Sequence, residues 1–278
     1  MKKCSPLLLL VITLCCLYPC EIMASQQQLT LLIHPFLFPS ELFKKFTPLA
    51  EYLSKEAGKT IDIKISKSYQ AHIDAVGKDQ MDLAYMGPTA YVEMNKLYGK
   101  KPLLACQEVN GKPFLHGMII VRSDSPIKTL VELSGKRFAF VDRESTMGYV
   151  LPRFMLQEAG VRVNQLAQSD FLKSHTNVAL GVLNGFYEAG AVKDETYDSY
   201  QERGLKVLAK SPPIQEHILV ASPQLPEPQI AALGRALHTL KSKEVLTAIQ
   251  SNLTGFVPVK DADYDSLRQV MQSIAQTE

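Results

Sequence analysis

The sequence predicts an α/β protein built as two lobes, and three observations carry that expectation. Strand-like and helix-like apolar periodicities alternate from Leu29 to Ser222, the pattern of sheets flanked by helices. The alternation restarts after Ser123-Asp124-Ser125-Pro126, and Ser211-Pro212-Pro213 breaks it again. The segment between them, about 122–212, reads as a complete unit inserted into another, and its two extended crossovers make a hinge.

Each element has its own signal. Leu29–His34 is a short apolar strand. Leu42, Phe43, Phe46, Leu49, Ala50 and Leu53 keep helical spacing from Pro39 to Ala57, and Gly58 ends the run. Ile61, Ile63 and Ile65 alternate as a half-buried strand. A short helix over 69–77, a strand over 82–86 and a helix opening at Pro88 follow. Leu103–Val109 and Leu115–Val121 flank Asn110-Gly111, which predicts a hairpin. In the inserted unit the spacing predicts helices over 127–133, 148–159, 175–183 and 194–203. Strands are expected over 137–141, 188–192 and 205–209, and the sheets are expected to be largely parallel. A strand over 216–222 is followed by helices over 226–240, 242–252 and 263–276.

Bulk properties exclude several classes. The chain has 278 residues, 46% hydrophobic and 21% charged, which suits a soluble protein with a sizeable core. A net charge of +2 with no basic-aromatic interleaving gives no footprint for nucleic acid. Lys2 and Lys3 precede an apolar run from Leu7 to Leu17, too short for the roughly 20 residues of a membrane span. That is the form of a secretory signal, with cleavage expected near Ala24-Ser25. A lipid anchor at Cys20 is the alternative processing. Four of the five cysteines lie in this leader. The mature chain keeps only Cys106, read as a buried inert thiol, so no disulfide and no cysteine metal site is expected. The six histidines form no close pair at i, i+4, so neither a metal site nor a cofactor is called for.

Three helix starts carry polar or small residues where chemistry is expected, beyond strand ends. They are Ser145-Thr146-Met147-Gly148, Met86-Gly87-Pro88-Thr89 and Ser174-His175-Thr176-Asn177. Hydroxyls beside free N–H groups and the positive end of a helix dipole suit an oxyanion. Each alone reads equally as an N-cap. His175 is unusual there, because the dipole disfavours an imidazolium; the alternative is a surface imidazole without a role. Ser145, His175 and Asp142 have the residue types of a hydrolytic triad, but no G-x-S-x-G elbow surrounds Ser145.

In order along the chain, these segments resemble a known family. Asp82-Leu-Ala-Tyr-x-Gly-Pro, Val121-x-Ser-Asp-Ser-Pro and Ser145-Thr146-x-Gly148-x-x-x-Pro152 are followed by His175, Asn184, Ala189, Val192 and Lys210-Ser211-Pro212. Together they are similar to the phosphate, phosphite and phosphonate substrate-binding subunits of ABC transporters, over roughly 29–258. The resemblance implies a type II periplasmic binding protein fold, with two α/β lobes closing over a ligand. Lobe one would be 29–120 plus 216–278, lobe two 122–212, and 1–25 the signal peptide. It also implies that Ser145, Thr146 and His175 donate to the anion, with backbone N–H groups at Met147 and Gly148. Tyr69 falls where the family places an anion-contacting tyrosine, and Tyr85 to Thr89 would line that wall. Met147 replaces a usual hydroxyl. Aminoalkylphosphonate binders carry acids where this chain has His217 and Glu195.

The leading expectation is an exported, non-catalytic binding protein, periplasmic or lipid-anchored. It would deliver a small anionic ligand, a phosphorus oxyanion or phosphonate, to an inner-membrane ABC permease. The alternative is a sensor of the same fold that presents a different small ligand to a membrane kinase or adaptor. An enzyme on the same scaffold is the third reading.

Overall fold

The computed structural model describes residues 28–276. The expected signal peptide over 1–25 and Cys20 lie outside the described residues. The chain opens as β1 (Leu29–Ile33), α1 (Pro39–Ala57), β2 (Ile61–Ile65), α2 (Tyr69–Gly77), β3 (Leu83–Met86), α3 (Pro88–Tyr98) and β4 (Leu103–Val109). α1 forms as its spacing requires: Leu42, Phe46, Leu49, Ala50 and Leu53 are buried, and Gly58 closes it at φ 62°. β1 lies between β2 and β3, parallel to both.

The chain then crosses to a second sheet. β5 (Phe114–Leu115) is followed by β6 (Gly117–Arg122), β7 (Arg137–Phe140), α4 (Leu151–Glu158), β8 (Gln168–Phe171), α5 (His175–Leu183), β9 (Ala189–Lys193), α6 (Asp194–Tyr200) and β10 (Leu205–Lys210). It returns through β11 (Ile214–Gln215) and β12 (Ile218–Ala221), then finishes with α7 (Glu227–Thr239), α8 (Lys243–Ile249), β13 (Leu253–Val257) and α9 (Asp265–Ala275).

The six-stranded sheet has the order β13-β4-β12-β3-β1-β2 and the five-stranded sheet β10-β6-β9-β7-β8. β5 and β11 pair only with each other, an antiparallel ribbon where both crossovers pass between the sheets. Ser211 ties its rim: its Oγ accepts from Gly117 N–H at 2.9 Å and its carbonyl faces His116 Nδ1 at 2.8 Å. One face of the six-stranded sheet packs Leu31 and Ile33 against Phe46, Leu49, Leu233, Leu237 and Leu246 of α1, α7 and α8. The five-stranded sheet buries Phe138 and Phe140 against α4, and Ala139, Val192 and Ile120 against α5.

Several expectations need correction. The sheets are mixed, because β12, β13, β6 and β10 run antiparallel to their neighbours. The Asn110-Gly111 turn exists, with φ 51° and 73°, but closes only the bridge Val109–Lys112. No hairpin forms there, because β12 and β13 already occupy both edges of β4. β6 joins the second sheet from Gly117 onward, so the crossing precedes the expected 120–122. The helix expected over 127–133 is one 3-10 turn, Val131–Leu133. β8 and β13 were read through, since one is polar and the other is broken by Gly255. Among the described residues no helix is long and apolar enough to cross a membrane. Cys106 is free and buried, and burial pushes its thiol up to about 12, which leaves it inert.

Candidate functional site

Two of the three helix starts touch, those at Thr89 and Thr146; the third opens α5 at His175. β7 runs into a single π turn, Thr146–Val150, rather than the expected α-helical start. Tyr149 and Val150 both donate N–H to Ser145 O, at 3.0 and 3.1 Å, so the turn is widened. The first N–H groups of the turn, at Thr146 and Met147, have no preceding turn to bond. Ser145 Oγ accepts from Gly148 N–H at 3.1 Å. Gly148 is required there: a Cβ would lie 2.4 Å from Val141 Cβ and 2.7 Å from Ser145 Oγ.

Across the cleft, Gly87 caps α3, and Thr89 N–H donates to Thr146 Oγ1 at 2.9 Å. Thr89 Oγ1 is buried with no hydrogen-bond partner among the described residues. Tyr69, at the start of α2, is buried, with its hydroxyl within reach of Ser145. Burial drives the phenol well above its ordinary range despite that contact, so it stays a donor.

His175 opens α5 after the Ser174 cap and is 1% exposed. Its Nδ1 lies 3.1 Å from Lys193 N–H and accepts from it, so the neutral ring carries its proton on Nε2. Burial first, then the charges of Lys193 and His217, hold its pKa well below the usual histidine value. The dipole penalty weighed from the sequence is thus resolved by neutrality, with an N–H left to give.

The remaining expected residues take other parts. The Tyr85 ring stacks on His34 and His217 at 5.4 and 5.2 Å, but its hydroxyl donates to Gln107 Oε1 at 2.9 Å. His217 Nδ1 donates to Glu216 Oε2 at 2.7 Å, so the acid near this position is its neighbour. The Met147 side chain packs into the core, leaving only its backbone for the site. Glu195, at a position where aminoalkylphosphonate binders carry an acid, bridges Lys45 at 2.8 Å and Lys193, joining α1 to α6.

Burial raises the Glu195 pKa, but Lys193 and Lys45 together overcome it and bring the group to about 2. Glu195 therefore stabilises the fold above its ordinary 4.5, and the gain is lost as pH falls from 4.5 through about 2. Glu195→Gln is expected to flatten the acid limb of stability in that window, read as melting temperature against pH. An acid limb identical to wild type refutes the assignment.

Three residues escaped sequence reasoning. Lys193 is 6% exposed and ends β9, its Nζ 4.6 Å above the Phe36 ring. His34 and Phe36 follow β1 and are equally buried. The available signal was position, since each follows the carboxyl end of an apolar strand.

The chain is similar to known proteins. The phosphate-import protein PhnD of Mycolicibacterium smegmatis is 28% identical over 273 residues, covering 88% of this chain and 85% of that protein. The phosphonates-binding periplasmic protein of Escherichia coli is 25% identical over 182 residues, 60% of this chain and about half, 53%, of that one. The structure of PhnD1 from Prochlorococcus marinus in complex with methylphosphonate matches with a TM-score of 0.82 at 18% identity, over 90% of this chain and 99% of that chain. The fold is accordingly that of the type II periplasmic binding proteins, two α/β lobes about a cleft. A family model described as "ABC transporter, phosphonate, periplasmic substrate-binding protein" matches residues 31–264, and the chain belongs to that family.

Proposed function

We propose that this chain is an exported binding protein that captures a small phosphorus oxyanion or phosphonate between its lobes and presents it to an inner-membrane permease. The carrying observation is a set of buried neutral donors at helix starts: Ser145, which Tyr69 reaches, Thr146, and the Nε2–H of His175. Fixed donors at helix starts replace the water around an anion. Lys193, whose N–H holds His175, brings a positive charge from β9 that Glu195 pairs. The relatives named for phosphate import and phosphonate binding support the ligand class, and family membership supports the permease. The apolar leader supports export.

Closure about the β5–β11 ribbon would make and break the bonds that now cross the cleft. These are Thr89 to Thr146, Lys45 to Glu195, and Lys193 over Phe36. The geometry favours binding over catalysis. His175 Nδ1 takes a backbone proton, so no acid orients the ring, and Asp142 holds Lys173 at 3.2 Å instead.

A thermal-shift panel tests the reading. Phosphate, phosphite or methylphosphonate should raise the melting temperature, by about 2.7 kcal/mol of stability at 100 times the dissociation constant. Amino acids and sugars should not. The absence of a response to every phosphorus oxyanion at millimolar concentration overturns it.

A further inference from the structure

The donors of the cleft stand against a wall that offers the opposite chemistry. His34, just beyond β1, is 1% exposed and packed among rings: Phe36 at 4.7 Å, Tyr85 and His217 at 5.4 Å, Tyr69 at 5.5 Å and His72 at 5.8 Å. Its Nδ1 lies 3.1 Å from the Tyr85 carbonyl oxygen. A carbonyl only accepts, so Nδ1 carries the hydrogen. Burial above all, then His217, His72 and Lys193, keep a second proton off the ring. Nε2 is therefore a bare lone pair, and it makes no hydrogen bond among the described residues.

That lone pair faces the start of α3, the helix that touches Thr146. A Cβ at Gly87 would sit 3.5 Å from His34 Nε2 and 3.8 Å from His217 Nε2. Gly87 is the cap of α3, two residues before Thr89, whose N–H reaches Thr146 Oγ1. The absence of a side chain at Gly87 keeps the space before both nitrogens open. A guest held by Ser145, Thr146 and His175 on one side thus meets an acceptor on the other. An oxyanion with no hydrogen would set lone pair against lone pair in a buried place, where an unmade hydrogen bond is expensive.

We propose that His34 Nε2 accepts a hydrogen bond from the acidic O–H of a singly protonated phosphorus oxyanion. His34 thereby selects monoprotonated phosphonates and phosphate over sulfonates and sulfate, which keep no proton near neutral pH. The inference rests on the anion-binding reading above and adds to it the protonation state of the guest. His217 stacks on His34 and fixes the ring plane.

The test is calorimetric titration in mildly acidic buffer with methylphosphonate and methanesulfonate, which then have the same charge and differ by one O–H. Wild type is expected to prefer methylphosphonate roughly ten- to hundredfold. His34→Phe keeps the ring stack, removes the acceptor and should close most of that gap. His34→Gln keeps a side-chain acceptor and should retain part of the preference, and circular dichroism on both variants guards against a folding defect. Equal binding of the two ligands by wild type overturns the inference and leaves anion binding standing. Full discrimination in a folded His34→Phe protein also overturns it. Binding of neither ligand by wild type removes the reading beneath it, and the inference falls with it.

Discussion

Replacing His175 by alanine is expected to weaken phosphorus-oxyanion binding roughly ten- to hundredfold, the range for losing a hydrogen bond to a charged partner. The Nε2–H is fixed by the bond that Nδ1 accepts from Lys193 N–H, so the donor is aligned before a ligand arrives. Alanine removes the donor and also leaves that N–H buried without an acceptor. A stability loss of about 1–3 kcal/mol should therefore accompany the affinity loss. Thr146→Ala separates the two effects in part, because it removes the hydroxyl that holds Thr89 across the cleft. Titration calorimetry reads affinity, and thermal melting of the unliganded variants reads the structural share. A His175→Ala protein that binds as wild type does would place the anion elsewhere.

Gly148→Ala is the second large effect. A Cβ there lies 2.4 Å from Val141 Cβ and Cγ2 and 2.7 Å from Ser145 Oγ, well inside contact. Val141 is fully buried at the end of β7, and Ser145 is held by its bond to Gly148 N–H, so neither yields easily. Overpacking of this kind typically costs about 1–3 kcal/mol. The widened turn must also shift, taking the Ser145 and Thr146 hydroxyls with it, so binding should fall even in the folded fraction. A melting temperature and an affinity both equal to wild type would show that the turn relaxes freely.

What could be read from the sequence was what is local. The α1 helix announces itself through Leu42, Phe46, Leu49 and Leu53, and its end through Gly58. Ser145 and Ser174 were legible as helix starts because a cap depends on its own next three residues. The turn at Asn110-Gly111 was legible too, but its pairing was not. Strand partners are chosen by distant segments, and β12 and β13 had taken both edges of β4.

The same division runs through the site. Glu195 was visible as an acid, yet its partner Lys45 lies 150 residues away, and the ion pair between them appears only in the fold. Tyr85 was visible as a residue near a strand end, but only the fold shows its hydroxyl committed to Gln107. His34 and Lys193 carry no motif. Their place at the ends of β1 and β9 becomes meaningful only when the two sheets face each other. The π turn at Thr146–Val150 has no signature either, since it is the first turn of the helix and no earlier apolar spacing precedes it to be broken.

The central claim is that one buried spot, walled by Ser145, Thr146, Tyr69 and His175, holds a phosphorus oxyanion. Side-by-side calorimetric titration of wild type and His175→Ala with methylphosphonate tests it most directly. The account predicts saturable one-to-one binding by wild type and a clearly weaker isotherm for a variant that is still folded. Binding of equal strength in both proteins, or no heat from wild type at millimolar ligand, would contradict it.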